Sequence, residues 1–459
     1  MSPAGFDGVD RSRLPPLRPV PRFVFPRVTK STLANGLRVW TARHSQVPMT
    51  EFLLVVSHGA ASDPVGKEGL SAFTTDMLDE GTGTLSAIDV SEQLSRIGAQ
   101  LGVDVGSDAI LLGISSLTRF AQRGLQLLAD IVVRPSLRED DFDRVRRQRL
   151  NRLVQLRDMP GAIAERVFMR LLYGNAPYGH TPLGHEASLS AITLDDIRGF
   201  HERTFRPGEM TLIAVTDRDH DAISRFAESA FAGWSGDPIA PAGGDVPLPA
   251  PARLNLIARP GAPQSELRIG HVAVSRSTPD YHALVAANMV LGGQYVSRVN
   301  LNLRGEKGIT YGVRTAFEFR RAPGPFVLSV SVDKAATAVA ISESIKEISD
   351  LREARPVSAA ELAIGIAALT RGYAKNFEAS DQLARAIAQL ALFNLPEDFF
   401  SEFVPRIEAL SPEEVTQAAA RHLDPSRLTT LVVGDVDVTS QEFGQLNLGA
   451  AELLSPDSI

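Results

Sequence analysis

The stretch Gly69-Leu-Ser-Ala-Phe-Thr-Thr-Asp-Met-Leu-Asp-Glu-Gly-Thr82 reads as a helix over Gly69 to Asp79 that brings Ala72, Thr75 and Asp76 onto one face, since positions i, i+3 and i+4 of a helix are neighbours. Such spacings would let one helix face carry two metal ligands and a general base. The residues here supply little of that chemistry. Ala72 has no donor atom, Thr75 has no useful pKa near neutrality, and Asp76 alone is one weak oxygen ligand.

The same stretch resembles the inverzincin peptidases, the group of pitrilysin, insulin-degrading enzyme and mitochondrial processing peptidase, whose helix runs roughly G-L-A-H-F-L-E-H-M-L-x-x-G-T. Against that pattern Ala72 and Asp76 stand in place of the two His, and Thr75 in place of the Glu that activates the metal-bound water. The resemblance implies a third ligand, a Glu on a later helix, and the matching position is Arg152 within the helical run Glu139 to Val154. A cation there would repel zinc. The expectation is a chain that binds no metal of its own. The nine His residues include no H-x-x-E-H or H-E-x-x-H arrangement to rescue a site, and His180 and His185 lie in a Gly/Pro-rich stretch without metal-site spacing.

With 459 residues the chain is too long for one ordinary core. Its 44% hydrophobic and 22% charged content is that of a soluble globular protein, and a net charge of −7 argues against nucleic acid as the main partner. The absence of cysteine excludes disulfides and thiolate metal sites. No stretch approaches the roughly 20 apolar residues of a membrane span. Residues 1–28, with Pro15, Pro16, Pro19, Pro21 and Pro26 and no apolar signal-peptide core, read as an extended arm. The expected location is cytoplasmic, or periplasmic if the chain is a processed form.

The chain repeats itself. Ile192 to Asp217 matches Leu410 to Asp435 at a constant offset of 218: Thr193 pairs with Ser411, Asp196 with Glu414, Ile197 with Val415, Phe205 with Leu423, Pro207 with Pro425 and Val215 with Val433. Each copy opens on an N-cap followed three residues later by an acid, runs as a helix, turns at Pro and closes in a strand. Between the copies, residues 236–252 are too rich in Pro and Gly for helix or central strand and read as a linker. The expected layout is therefore an N-terminal domain over 29–235 and a homologous C-terminal domain over 253–459.

In the first half, Leu37 to Trp40 and Glu51 to His58 read as strands and Ser86 to Ile97 as a helix. Leu101 to Leu117 alternates, and helices follow near Arg119 to Val132 and Glu139 to Arg157. In the second, Thr278-Pro279 opens a helix ended by Gly292-Gly293, Phe326 to Val332 alternates as a strand, and Ser358-Ala-Ala-Glu361 is a capping box. This pattern predicts an α+β fold with helices packed on a largely antiparallel sheet in each half. The resemblance implies two domains of roughly 220 residues related by a pseudo-twofold, together half of a clam-shell. The tail beyond Asp437 carries no signal.

A second motif lies in Val290 to Val313, which includes Leu291-Gly-Gly, Ser297-Arg298, Leu303-Arg304, Gly308 and Tyr311, and resembles the family signature L-G-G-x-x-S-R-L-x-x-x-L-R-E-x-x-G-L-A-Y-x-V. Its Arg and Tyr, which in family members grip the substrate near the zinc of the other half, match Arg304 and Tyr311 with the seven-residue spacing intact; the acid is displaced by one, to Glu306. A guanidinium is a permanent multi-donor cation for peptide carbonyls, and a phenol can donate to developing oxyanion charge. The metal motif is lost and the gripping motif kept, and the resemblance implies one subunit of a two-chain zinc peptidase. Its zinc would sit in a homologous partner bearing H-x-x-E-H, its substrates would be unfolded peptides, and it would be free to form homodimers in isolation. The alternatives are a structural or assembly subunit that kept the fold without activity, and a free-standing peptidase using other ligands.

Two further features suggest less. Arg144, Arg146, Arg147, Arg149 and Arg152 follow Glu139, Asp140, Asp141 and Asp143, an order that suits the helix dipole and reads as a solvated face, with a chamber-facing patch for acidic peptides as the rival. Gly69-Leu-Ser71-Ala-Phe lacks the second Gly of a nucleophile elbow.

Overall fold

The computed structural model describes residues 22–237, 239, 250–446 and 448–455; residues 1–21 of the expected arm and most of the 236–252 linker lie outside them. The first half contains β1 (Val28–Thr32), β2 (Arg38–Arg43), β3 (Met49–Val56), a two-residue-stranded hairpin of β4 (Gly81–Thr82) and β5 (Leu85–Ser86), then β6 (Gln100–Val105), β7 (Ile110–Leu117) and β8 (Met210–Thr216). Six of these form one sheet in the order β1-β2-β8-β3-β7-β6, parallel only between β2 and β8. The second half supplies β9 (Arg253–Ala258), β10 (Gln264–Val272), β11 (Val313–Phe317), β12 (Pro325–Asp333), β13 (Thr429–Gly434) and β14 (Glu452–Leu454), in the order β11-β12-β10-β13-β9-β14.

Read inward from β6 and from β11, the two orders coincide, and β8 and β13 are the strands that the 218-residue offset relates. The outermost place is filled differently. β1 enters from the N-terminal side antiparallel to β2, whereas β14, from the tail that reads as featureless, lies parallel to β9. The repeat's capping boxes form as expected: Thr193 accepts from the Asp196 amide and Ser411 from the Glu414 amide, each opening an eleven-residue helix, Leu194–Thr204 and Pro412–His422.

The central strands are buried on both sides, which is why β3 reads as a nearly unbroken apolar run rather than an alternation. Phe52, Leu54 and Val56 face the main core of the first half; Leu53 and Val55 face the other way, and what covers them comes from the second half. The helix Ser380–Leu392 packs on β3 and β8 through Leu383, Ala384, Ile387 and Leu390. Burying each of its Leu and Ile side chains contributes about 1.5–3 kcal/mol. Reciprocally, the helix Pro160–Tyr173 of the first half packs on β10 and β13, its Ile163, Val167 and Phe168 against Val327, Leu431 and Val433. The two halves thus exchange helices, as a twofold relation between them requires, and neither sheet is fully covered by its own half.

Hydrogen bonds stitch the same seam. The turn between β11 and β12 meets the turn between β6 and β7: the Arg321 amide donates to Asp108 at 2.8 Å, its guanidinium donates to the Ser57 carbonyl at 2.8 Å, and Tyr178 donates to the other Asp108 oxygen at 2.5 Å. The end of the N-terminal arm is tied down too. Phe23 stacks on Phe377, and Phe25 packs against Phe377 and Phe400 of the second half.

Candidate functional site

The motif helix spans Leu70–Asp76, shorter than the expected 69–79. Its start is fixed from outside. Gly69 has φ +94°, and a Cβ there would come 3.0 Å from the Leu183 carbonyl oxygen. The Asp63 carboxylate, with no exposure to solvent, accepts from the Gly69 amide at 2.8 Å and the Ser71 amide at 2.7 Å, satisfying two otherwise unpaired N–H groups of the first turn. His180 Nε2 lies 3.0 Å from the Ala60 carbonyl and 3.2 Å from Asp63, and His185 Nδ1 accepts from the Ser188 amide at 3.3 Å, so both His are engaged in holding backbone.

Ala72 and Thr75 are buried, and the Thr75 hydroxyl donates to the Ser71 carbonyl at 2.7 Å, one turn back along its own helix. Asp76 is spoken for as well: Arg149 donates to it at 2.6 Å. The Arg149 side chain is only 8% exposed and its second terminal nitrogen donates to the carbonyls of Pro182 at 2.8 Å and Leu183 at 3.2 Å. Arg152, the position the family spacing picks out, lines the same cavity of about 210 Å³ but is exposed, and no hydrogen bond or ion pair of its side chain occurs among the described residues. The cation that reaches the old metal face is therefore Arg149, three residues earlier on the same helix, Glu139–Leu156.

This set of side chains does not fit zinc. A methyl group, a hydroxyl committed to a carbonyl, and a carboxylate already paired with a guanidinium leave no set of free ligands. Among the described residues no group of three or more His, Asp or Glu is placed to hold a metal ion.

The arginine run is also less of a solvated face than its sequence suggests. Arg144 pairs with Glu80 and Asp141, Arg146 donates to the Ile192 carbonyl at 2.6 Å, and Arg149 is buried.

The second motif is built on a scaffold of its own. Arg298, buried, makes a two-pronged ion pair with Glu361, Nε to Oε1 at 2.6 Å and Nη2 to Oε2 at 2.8 Å, and also donates to the carbonyls of Arg355 and Pro356. Burial by itself would raise the Glu361 pKa, but the Arg298 guanidinium and the Ser358 hydroxyl and amide outweigh it and lower the value to about 2. The chain then runs through a wide π-type turn, Asn300–Glu306. Asn300 faces β11: its amide nitrogen donates to the Val313 carbonyl at 2.8 Å and its oxygen accepts from the Val313 amide at 2.9 Å, as a neighbouring strand would. The Thr315 amide donates to the Gly292 carbonyl at 3.3 Å, and a Cβ on Gly292 would lie 2.5 Å from the Thr315 side chain. The outer edge of β11 is closed by these contacts.

Arg304 leaves this turn with its guanidinium carbon 3.1 Å from the centroid of the Tyr295 ring. One terminal nitrogen donates to the Tyr295 carbonyl at 3.3 Å, and the other is shielded from water without a hydrogen-bond partner. Tyr311 is 95% exposed. Arg304 sits on the supported turn and Tyr311 on the loop that leads from it to β11, while the roles of Arg149, Tyr295 and Asn300 were not read from the sequence. The Arg149 position had a partial signal, since it shares a helix face with Arg152; Tyr295 and Asn300 had none.

The β6 edge differs from β11. Among the described residues it pairs only with β7, it passes beside the motif helix, and its Val103 is exposed.

Residues 38–185 match the family described as insulinase (peptidase family M16), and residues 191–369 match the peptidase M16 inactive domain. The chain belongs to the M16 peptidase family, with both its N- and C-terminal domains. A protein of Mycobacterium bovis named as an uncharacterized zinc protease is 25% identical over 411 residues, covering 88% of this chain and 92% of that one. A Bacillus subtilis protein named in the same way is 23% identical over 286 residues, covering 62% and 69%. Among solved structures, a peptidase M16 inactive domain from Pseudomonas fluorescens superposes with a TM-score of 0.81 at 24% identity, covering 89% of this chain and 98% of that one. A protease from Helicobacter pylori does so with a TM-score of 0.80 at 18% identity, covering 89% and 99%. These structures share the fold. No helix among the described residues is long and apolar enough to cross a membrane.

Proposed function

We propose that this chain is the non-catalytic, substrate-binding subunit of a heterodimeric zinc metalloendopeptidase that cleaves unfolded peptides, and that it contributes Arg304 and Tyr311 to a composite site with a zinc-motif-bearing homologue. The observation that carries the reading is the contrast between two polar clusters. At the old metal face the charges satisfy one another, Asp76 against Arg149 at 2.6 Å. At the second motif the Arg304 guanidinium is held only by the Tyr295 ring and carbonyl, with no acid paired to it among the described residues, and the Tyr311 ring stands in solvent. A chain kept only for its fold has no use for an exposed Tyr and a cation without an acid beside a turn this heavily braced.

In this reading the partner's H-x-x-E-H helix would hold the zinc and supply an activated water. Arg304 donates to carbonyl oxygens of the bound peptide, and the Tyr311 hydroxyl donates to the oxyanion that develops on the attacked carbon. Strand addition supplies the remaining affinity, since backbone hydrogen bonds tolerate many sequences. The β6 edge suits it because β11 is already occupied by Asn300 and Gly292.

The test is reconstitution. The purified chain alone should neither retain stoichiometric zinc nor cleave an unstructured peptide, and mixing it with a homologue bearing H-x-x-E-H should restore cleavage that Arg304→Ala and Tyr311→Phe slow by about 10²-fold, in the range for loss of one oxyanion donor. Zinc bound tightly by the isolated chain, with turnover, would defeat the reading. Full activity of both variants in the mixed complex would favour a structural subunit instead.

A further inference from the structure

Arg304 is held by one neighbour. Its guanidinium lies over the Tyr295 ring at 3.1 Å and donates to the Tyr295 carbonyl at 3.3 Å, so ring and backbone of a single residue fix both its height and its direction. The Tyr295 loop is itself constrained. A Cβ on Gly293 would lie 2.7 Å from the Asn288 side chain, and Asn300 donates to the Gln294 carbonyl at 3.1 Å. Despite that rigid support the Tyr295 ring is 70% exposed, and Val296, Leu301 and Tyr311 of the same segment are 48%, 48% and 95% exposed. Tyr295 stands at a cavity of about 650 Å³ whose lining also includes Gly293, Gly312, Val313 and Val330, with Glu266 and Arg314 as its charged groups. The closed edge of β11 keeps an added strand out of this place, so what it can accept is a side chain.

We infer that Tyr295 completes the substrate grip. It is a positioning residue that fixes the Arg304 guanidinium on its turn, and its exposed ring selects peptides that place an apolar side chain beside the carbonyl that Arg304 binds. The inference rests on the substrate-binding role proposed above. The Tyr295 ring and carbonyl fix where the half-buried Arg304 guanidinium can meet a ligand oxygen, and the exposed face of that ring sets what lies next to the oxygen.

The test uses the full chain and two fluorescein-labelled unstructured peptides that differ only by Leu or Gln at one interior position, with binding followed by fluorescence anisotropy. The wild type should prefer the Leu peptide. Tyr295→Ala should bind it about tenfold more weakly and lose the preference, whereas Tyr295→Phe and Tyr295→Trp, which keep the ring, should restore both. Melting temperatures should match throughout, since a mostly exposed side chain is being changed. If Tyr295→Ala keeps wild-type affinity and preference while Arg304→Ala binds poorly, the role given to Tyr295 is wrong and the substrate-binding reading survives. If Arg304→Ala also binds both peptides as the wild type does, that reading falls and the inference with it.

Discussion

Replacing Arg149 with Ala asks whether an ion pair has taken over the tie that a metal would make between two helices. The side chain links the helix Leu70–Asp76 to the helix Glu139–Leu156 through Asp76, and both to the backbone at Pro182 and Leu183. Asp76 is 46% exposed, so on losing its partner it returns to water at a cost of about 1 kcal/mol, the upper end for exposed pairs. Hydrogen bonds to charged groups contribute about 1.5–3 kcal/mol each when buried. Here Leu183 borders the cavity of about 210 Å³, where water can replace the lost donor, so the two carbonyl bonds together contribute about 1–2 kcal/mol. The expected loss is about 2–3 kcal/mol. An unfolding entropy of roughly 2.1 cal/mol/K per residue makes 1 kcal/mol worth about 1 °C in a chain of 459 residues, so the melting temperature should fall by about 2–3 °C. Arg152→Ala, an exposed change without a hydrogen-bonded or ionic partner, should stay within about 0.5 kcal/mol. Calorimetric melting of both variants beside the wild type decides the matter. A loss for Arg152→Ala equal to or larger than that for Arg149→Ala would show that the spacing-derived position, not the observed contact, carries the tie.

Asn300→Ala should leave the Val313 amide and carbonyl without partners and cost about 2–4 kcal/mol, a fall of about 2–4 °C; Asn300→Asp, which keeps the acceptor for the Val313 amide, should lose less, and equal melting of both variants and the wild type would refute the edge-closing role. Opening that edge should also raise the tendency to self-associate, which light scattering would detect. Glu361 has a folded pKa lowered from 4.5 to about 2, so its contribution to stability is fully present above about pH 4.5 and is lost as the pH falls toward 2. The melting temperature of the wild type should therefore drop across that window, and Glu361→Gln should be less stable at neutral pH with a shallower acid dependence; an unchanged acid slope would show that the Arg298 pair does not act on folding.

The elements were read from sequence where local chemistry alone sets them. Thr193, Ser358 and Ser411 cap the helices that their side chains announce, because a hydroxyl reaching an amide three residues on is settled within a single turn. The 218-residue repeat gave equivalent strands because both copies must bury the same face. The site was legible in part. The spacing of Arg304 and Tyr311 and the missing ligands at Ala72, Thr75 and Asp76 could be seen by position, but which arginine meets Asp76 could not, since Arg149 and Arg152 lie on one helix face and only the depth at which each side chain enters the protein separates them.

What the sequence by itself determined is the repeated α+β pattern, the absence of His and Glu at the zinc-helix spacing, and the presence of an Arg and a Tyr seven residues apart, all of which are residue types at fixed spacings. The tertiary structure decided the rest. The exchange of the helices Pro160–Tyr173 and Ser380–Leu392 between halves, the capture of the tail as β14, and the support of Arg304 by Tyr295 depend on contacts between segments that periodicity does not connect, because a helix with one apolar face reveals that it must be covered and not which sheet covers it.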